Sequence, residues 1–411
     1  MSEKLKIVIL GGGYAGLLTA ASLLKKVHEK RVEITLVNKN DYHYLTTKIH
    51  ESGAGTLDSR MILFPYSELI NTGRINVIRD EVIGIDLAKK RVSLNKGTLN
   101  YDYLVVCIGG VPKTFNIPGL DENAFFLFDH KGTEKLCTHI ENQFKKYLLD
   151  QDKSRLTFVI GGAGFTGIEF LYELIVRIPE LREKYGVEKS KVKVICVEAD
   201  NTLLKDYDPR MRDDVLKSMT QIDCTFKLGL AIASCQNGEV TFNDGSSIKA
   251  NTMIWAGGVK GNPLLKDLGF ELLDGRVKVN EFLEVPGYKD IYVLGDASVS
   301  YSPKEEPYQP SAQIALQQGQ YCGYNIACKV YGQMARPFKY IHRGTVMSMG
   351  RKKATGVVYG KHVFGRLGAF MKYVIEKRYF LMLGGVTLLV KQFQREHKYK
   401  KRIKKEKEKG Y

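Results

Sequence analysis

Glycine supplies the first chemistry in this chain. Two Gly-x-Gly-x-x-Gly runs stand 151 residues apart: KIVILGGGYAGLLTA at Lys6–Ala20 and TFVIGGAGFTGIEFL at Thr157–Leu171. Their glycines are Gly11, Gly13 and Gly16, then Gly162, Gly164 and Gly167. In each copy the first glycine makes a tight turn and the second lets the backbone approach a pyrophosphate. The third lets the following helix pack on the strand. The helix N-terminus then offers free N–H groups to the phosphates. An acid at the end of the next strand would hydrogen-bond an adenosine ribose. In the second copy KVKVICVEAD places Glu198 there. A carboxylate at that point accepts a 2′-hydroxyl and repels a 2′-phosphate, which favours NADH over NADPH. In the first copy the strand Val32–Val37 is followed by Asn38, a neutral hydrogen-bonding group, with Asp41 as an alternative.

Each motif needs a short apolar strand before it and a helix after it, so the chain reads as two Rossmann-like units. Two dinucleotide sites in one chain, one holding its ligand and one visited, is the arrangement of a flavoprotein reductase. Three further stretches place FAD at the first site. Tyr103–Gly110, YLVVCIGG, is a buried strand ending in a turn at Gly109. Ile291–Ala297, IYVLGDA, brings Asp296 toward the ribityl or pyrophosphate region. Met253–Val259, MIWAGGV, repeats the first of these and closes the second unit.

Gln313, Gln317 and Gln320 are spaced i, i+4, i+7 and share a helix face. Ala312 and Ala315 leave room for a planar ring. Glutamine amides beside a flavin can hydrogen-bond quinone carbonyls without charging a dry pocket; a plain polar helix face is the alternative. Glu169 follows Gly167 by two residues. It is either a functional carboxylate near the nicotinamide or an acid interacting with the helix dipole. Phe165 and His43 each have a structural and a ligand-contacting reading. The eight histidines form no cluster of metal-ligand spacing, so no metal site is expected.

GGAGFTGIEF at 161–170, RIPEL at 177–181, AQIALQQG at 312–319, RGTVMSMG at 343–350 and FMKYVIEKR at 370–378 resemble the bacterial type II NADH dehydrogenases. These are single-subunit, non-pumping NADH:quinone oxidoreductases of the two-dinucleotide-fold flavoprotein superfamily. The resemblance runs from about residue 5 to about 390. It implies bound FAD, NADH as substrate and a membrane quinone as acceptor. It also implies that the helix carrying Ala312, Gln313 and Gln317 faces the flavin and lines the quinone site. A functional carboxylate is implied at Glu169. Asn38, where the family usually has an acid, and the long basic tail depart from the pattern.

The chain has 411 residues, 44% of them hydrophobic and 26% charged, which excludes a mainly disordered protein and a disulfide scaffold. The net charge is +17. Residues 391–411 contain ten basic and three acidic side chains, so +7 of it lies in the last 21 residues. Met1–Lys6 has no apolar region of a secretory signal. The longest apolar stretch near the C-terminus, Tyr379–Val390, has twelve residues against the roughly 20 that a spanning helix needs. Phe364, Leu367, Met371 and Val374 form a helical stripe flanked by Arg366, Lys372, Lys377 and Arg378, the pattern of a membrane-surface helix.

The expected architecture is α/β: two Rossmann-like dinucleotide-binding domains plus a C-terminal amphipathic membrane-docking region. Residues 1–120 and 265–335 form the FAD domain and 121–264 the NADH domain. Residues 336–390 dock on the membrane, and 391–411 form a basic tail. The expected location is peripheral, on the cytoplasmic face of the cell membrane. No nucleic acid partner is expected, and the sequence leaves a homodimer open. Two alternatives differ in testable ways. A sulfide:quinone oxidoreductase needs paired redox cysteines, for which Cys137, Cys322 and Cys328 are the candidates. An NADH-sensing flavoprotein would use the tail for binding.

Overall fold

The computed structural model describes residues 3–408. Two five-stranded parallel sheets carry the fold. The first runs, edge to edge, Ile291–Val293, Tyr103–Val106, Leu5–Leu10, Val32–Asn38 and Asn76–Arg79. The second runs Ala124–Phe126, Thr252–Trp255, Thr157–Gly161, Lys193–Glu198 and Thr225–Leu228. The two orders match strand for strand, with the motif strand central in both. These strands are apolar on both faces because helices cover both, as parallel sheets require. Leu5–Leu10 and Thr157–Gly161 are accordingly buried over most or all of their length. Each sheet has an antiparallel three-stranded companion, Val82–Asn100 in the first unit and Ile232–Lys249 in the second.

The repeat differs in one strand. The outer edge strand of the first sheet comes late in the chain, at Ile291–Val293. That of the second comes early, at Ala124–Phe126. The chain passes into and out of the second unit through one antiparallel pair, Gly110–Pro112 with Val259–Gly261. Helices Tyr14–Lys26 and Ala312–Val330 cross closely on the first unit. A Cβ at Gly319 would come within 2.3 Å of the Ala15 carbonyl oxygen, and one at Gly323 within 2.7 Å of that of Thr19. Glycine is what permits the crossing.

After residue 336 the chain is more than a docking helix. Gly344–Ser348, Ala354–Val358 and Lys361–Phe364 form an antiparallel sheet, and Met347 and Met349 enter the core of the second unit. Helix Gly365–Glu408 follows, broken at Gly385, whose φ of 68° and ψ of −161° are non-helical. The start of the basic tail at residue 391 falls inside this helix. The helix runs through it because Gln392 is buried and Arg395 donates to the carbonyls of Arg60 and Leu63 at 2.7 Å each. Among the described residues no helix is long and apolar enough to cross a membrane.

Candidate active site

The two glycine turns are built alike. Gly11 and Gly162 have φ of +100° and +103°, accessible to glycine and strained for other residues. A Cβ at Gly16 would lie 1.9 Å from the Gly11 carbonyl oxygen, and one at Gly167 lies 2.0 Å from that of Gly162. A Cβ at Gly13 or Gly164 meets no protein atom within 4 Å. These two glycines are the N-caps of helices Tyr14–Lys26 and Phe165–Tyr185, and neither helix start is capped by a side chain. Each turn is thus an open cradle of helix N–H groups, suited to a pyrophosphate.

The strand-end residues are equivalent in a way their types conceal. Asn38 Oδ1 accepts from Gly12 N–H at 3.0 Å, and Glu198 Oε2 accepts from Ala163 N–H at 2.6 Å. Both brace the glycine turn. Asn38 also donates to the Asn40 carbonyl at 2.9 Å, so its amide is used largely inside the protein. Glu198 takes the Asp200 N–H at 3.1 Å and keeps further lone pairs for a ribose. Asp41, the alternative to Asn38, is exposed and paired with Arg79 at 3.3 Å.

Gly109, with φ of +72°, and its counterpart Gly258, with φ of +94°, leave open space beside each sheet's next strand. Asp296 follows Gly295, whose N–H is held by Gln318 Oε1 at 2.6 Å. Gln318 also donates to Ser300 Oγ at 3.1 Å and is buried. It is therefore the glutamine that locks the Asp296 turn onto the helix, a role absent from the i, i+4, i+7 series because it lies on another face. His43 takes its structural reading. It bridges the Gly12 carbonyl and the Tyr379 hydroxyl, both at 3.1 Å, and burial holds it neutral, down to about 4.

The three face-sharing glutamines separate. Gln313 donates to the Gly344 carbonyl at 3.0 Å and accepts from Arg343 N–H at 2.7 Å. Gln317 is buried and pairs both ways with the Ile341 backbone at 3.0 Å. Gln320 is exposed and lines a surface cavity of about 350 Å³. Gln313 and Gln317 thus fasten 341–344 against the helix. Gln313, half-buried at the helix start beside Ala312, still has one N–H and a lone pair.

Glu169 is not a solvated dipole acid. The helix begins at Phe165, so Glu169 is its fifth residue and is turned inward. It pairs with Lys372, accepts from Ser348 N–H at 2.7 Å and lies 3.4 Å from His50 Nδ1. Burial and the lysines hold His50 well below its usual range, so it stays neutral. Beside it Glu173 accepts from the Thr56 hydroxyl, and Lys48 bridges Glu51 at 3.0 Å and Glu376 at 3.1 Å. Glu51, Glu169, Glu173 and Glu376 outnumber Lys48 and Lys372. Burial pushes Glu169, Glu173 and Glu376 above the usual carboxylate range.

Lys372 and Lys377 thus leave the membrane-facing set. Lys377 is buried against Glu396, among the rings of Tyr373, Phe380 and Phe393. Only the i, i+4 spacing of Lys372 and Glu376 inside an apolar stripe hinted at this, since a charge on the buried face of a helix demands a partner. Among the described residues no group of three or more His, Cys, Asp or Glu side chains is placed to hold a metal ion.

Comparison with known proteins agrees with this geometry. Residues 5–319 match the model of the pyridine nucleotide-disulphide oxidoreductase family. The type II NADH:quinone oxidoreductase of Staphylococcus epidermidis is 39% identical over 95% of this chain and 98% of its own. That of Staphylococcus aureus is 38% identical over the same shares. Among solved structures, NDH2 from Plasmodium falciparum in complex with NADH superposes with a TM-score of 0.85 at 18% identity, over 95% of this chain and 98% of that one. The sulfide:quinone oxidoreductase of Aquifex aeolicus gives a TM-score of 0.74 at 18% identity, over 93% and 92%. The twin glycine cradles, the matched sheets and nearly full-length identity in the high thirties place this chain in the type II NADH:quinone oxidoreductase family.

Proposed function

We propose that the chain oxidises NADH and reduces a quinone through bound FAD, without pumping protons. The observation that carries this is the pair of open cradles at Gly13 and Gly164, one per sheet, in a chain of this family. The FAD domain is 1–120 with 265–335, the NADH domain 121–264. Gly11, Gly13, Gly16, Asn38, Gly109 and Asp296 bind FAD. Gly162, Gly164, Gly167 and Glu198 bind NADH, the carboxylate of Glu198 disfavouring a 2′-phosphate. FAD, when bound, supplies two-electron acceptance from NADH and delivery to the quinone.

The chain's own residues supply position, dryness and protons. The Gln318 bond to Gly295 fixes the Asp296 turn, and His43 and Tyr379 seat the Gly12 turn against the C-terminal helix. Gln313 and Ala312 line the quinone side, with Gln317 positioning the 341–344 segment behind them. Quinone reduction consumes protons, and the buried Glu169 carboxyl, raised above the usual carboxylate range although paired with Lys372, is the group we assign to pass one on. A redox cysteine pair would favour the sulfide enzyme. However, Cys322 and Cys328 lie buried six residues apart on one helix, and Cys137 lies on another.

The docking face consists of exposed apolar residues on both arms of the broken helix: Leu367, Phe370, Val374 and Leu381, then Val386, Val390 and Phe393. An apolar row of this length on one helix hairpin, next to a basic tail, suits an anionic membrane surface. We place the protein peripherally, on the cytoplasmic face. Phe370→Glu with Val386→Glu is expected to weaken binding to anionic liposomes at least about 10-fold, since each loses buried apolar area. Turnover with a short-chain quinone in detergent stays intact. Unchanged flotation with liposomes would remove this face from the reading.

The primary test is anaerobic. NADH should bleach the absorbance near 450 nm of the purified protein, and a short-chain quinone should restore it over many turnovers. Bleaching without recovery would overturn the quinone acceptor. A colourless protein that takes up no added FAD would overturn the first site.

A further inference from the structure

Arg276 is a buried cation that the mechanism above does not use. It opens the strand Arg276–Lys278, which pairs in parallel with Ser298–Val299 through Val277 and Ser298. That register sets it alongside the Gly295–Ala297 turn, which carries Asp296. Its backbone also abuts the crossing between the two units. A Cβ on Gly261 would meet the Gly275 carbonyl oxygen at 1.7 Å and Arg276 N at 2.6 Å, and Gly261 pairs with Gly110. Arg276 therefore lies beside both turns that follow the strands Tyr103–Val106 and Ile291–Val293.

Arg276 is 9% exposed, and its Nε and Nη1 have no hydrogen-bond partner among the described residues. Asp296 is near enough to feel its charge, yet the two form no ion pair within 4.0 Å. The Asp296 carboxylate accepts no hydrogen bond from a described residue either. A buried guanidinium left unpaired is costly, and such groups are retained where something else completes them. Two unpartnered donors thus stand within electrostatic reach of an unpartnered carboxylate, one register step from its turn. The group that suits them carries anionic oxygens beside hydroxyls.

We propose that Arg276 donates to a phosphate oxygen of FAD while Asp296 accepts from a ribityl hydroxyl, so that the two charges clamp the ribityl–phosphate segment between them. Arg276 is thus a cofactor-retention residue, remote from the redox ring. The proposal rests on FAD occupying the first site.

The test uses the purified holoenzyme and its Arg276→Met and Arg276→Lys variants. Flavin release is followed by fluorescence, the flavin midpoint potential by spectroelectrochemistry, and melting in saturating FAD. Arg276→Met is expected to release FAD roughly 10- to 100-fold faster, the scale of a lost charged hydrogen bond. Its potential and its melting in saturating FAD match the wild type. Arg276→Lys, which keeps the charge without the fork, falls between. Release at the wild-type rate, or lower melting even in saturating FAD with normal release, would overturn the clamp and make Arg276 a packing residue. A shifted potential would move its contact to the ring and also overturn it. Wild-type protein that never binds flavin would instead sink the first-site reading.

Discussion

Gly164→Val is expected to raise the KM for NADH about 100-fold while leaving the fold and the bound flavin intact. A pyrophosphate contact worth about 2.7 kcal/mol converts to that factor. The reason is local. A Cβ at Gly164 meets no protein atom within 4 Å, and the residue's φ of −75° and ψ of −172° are ordinary extended backbone that valine tolerates. The added methyls fill the cradle and nothing else. Gly167→Ala makes the contrast, because its Cβ would lie 2.0 Å from the Gly162 carbonyl oxygen and must push the helix off the strand. That overpacking costs about 1–3 kcal/mol and lowers melting without any ligand. Steady-state NADH kinetics and melting of both variants separate the effects. A Gly164→Val enzyme with normal KM would show that NADH does not use the second cradle.

Lys372→Met is expected to destabilise the protein by about 3–5 kcal/mol, the usual cost of stranding one member of a buried pair. Glu169 and Lys372 are 6% and 15% exposed, so water cannot replace the lost partner. The loss depends on pH. Burial already places the Glu169 carboxyl above 4.5 in the folded state, and the lysine is the largest opposing influence. A group whose folded pKa is raised binds its proton more tightly in the native state. Its contribution is therefore present at low pH and is lost as pH rises through the folded value. Removing Lys372 lifts that value further, so the variant should lose stability more steeply than the wild type as the pH rises above the usual carboxylate range. Glu169→Gln with Lys372→Met should recover most of the stability and the shallower slope. Urea midpoints within and above the usual carboxylate range measure this, and a Lys372→Met chain as stable as the wild type would remove the pair from the core.

Much of the fold was legible because the glycine motif is local. Strand, turn and helix follow one another within fifteen residues, and the steric demands at Gly11, Gly16, Gly162 and Gly167 are met by neighbours close in sequence or on the adjoining strand. The duplicated YLVVCIGG and MIWAGGV strands were legible for the same reason. Asn38 keeps the brace that Glu198 gives the second turn. The hydrogen bond that braces the turn needs only an oxygen, which amide and carboxylate both provide.

The C-terminal third was less legible. A helical stripe has the same period whether it faces lipid or protein, so Lys372 and Lys377 read as interfacial. Only the placement of Glu169 and Glu396 turns them inward. The glutamine series predicted a shared face, and the contacts of 341–344 decided what that face holds. The sequence by itself determined two dinucleotide cradles, because backbone sterics at glycine depend on the residue type alone. Tertiary structure decided the buried carboxylate cluster, the Gln318 lock and the orphaned Arg276. Each depends on residues tens to hundreds of positions apart, and charge burial acquires meaning only once the partner's distance is fixed.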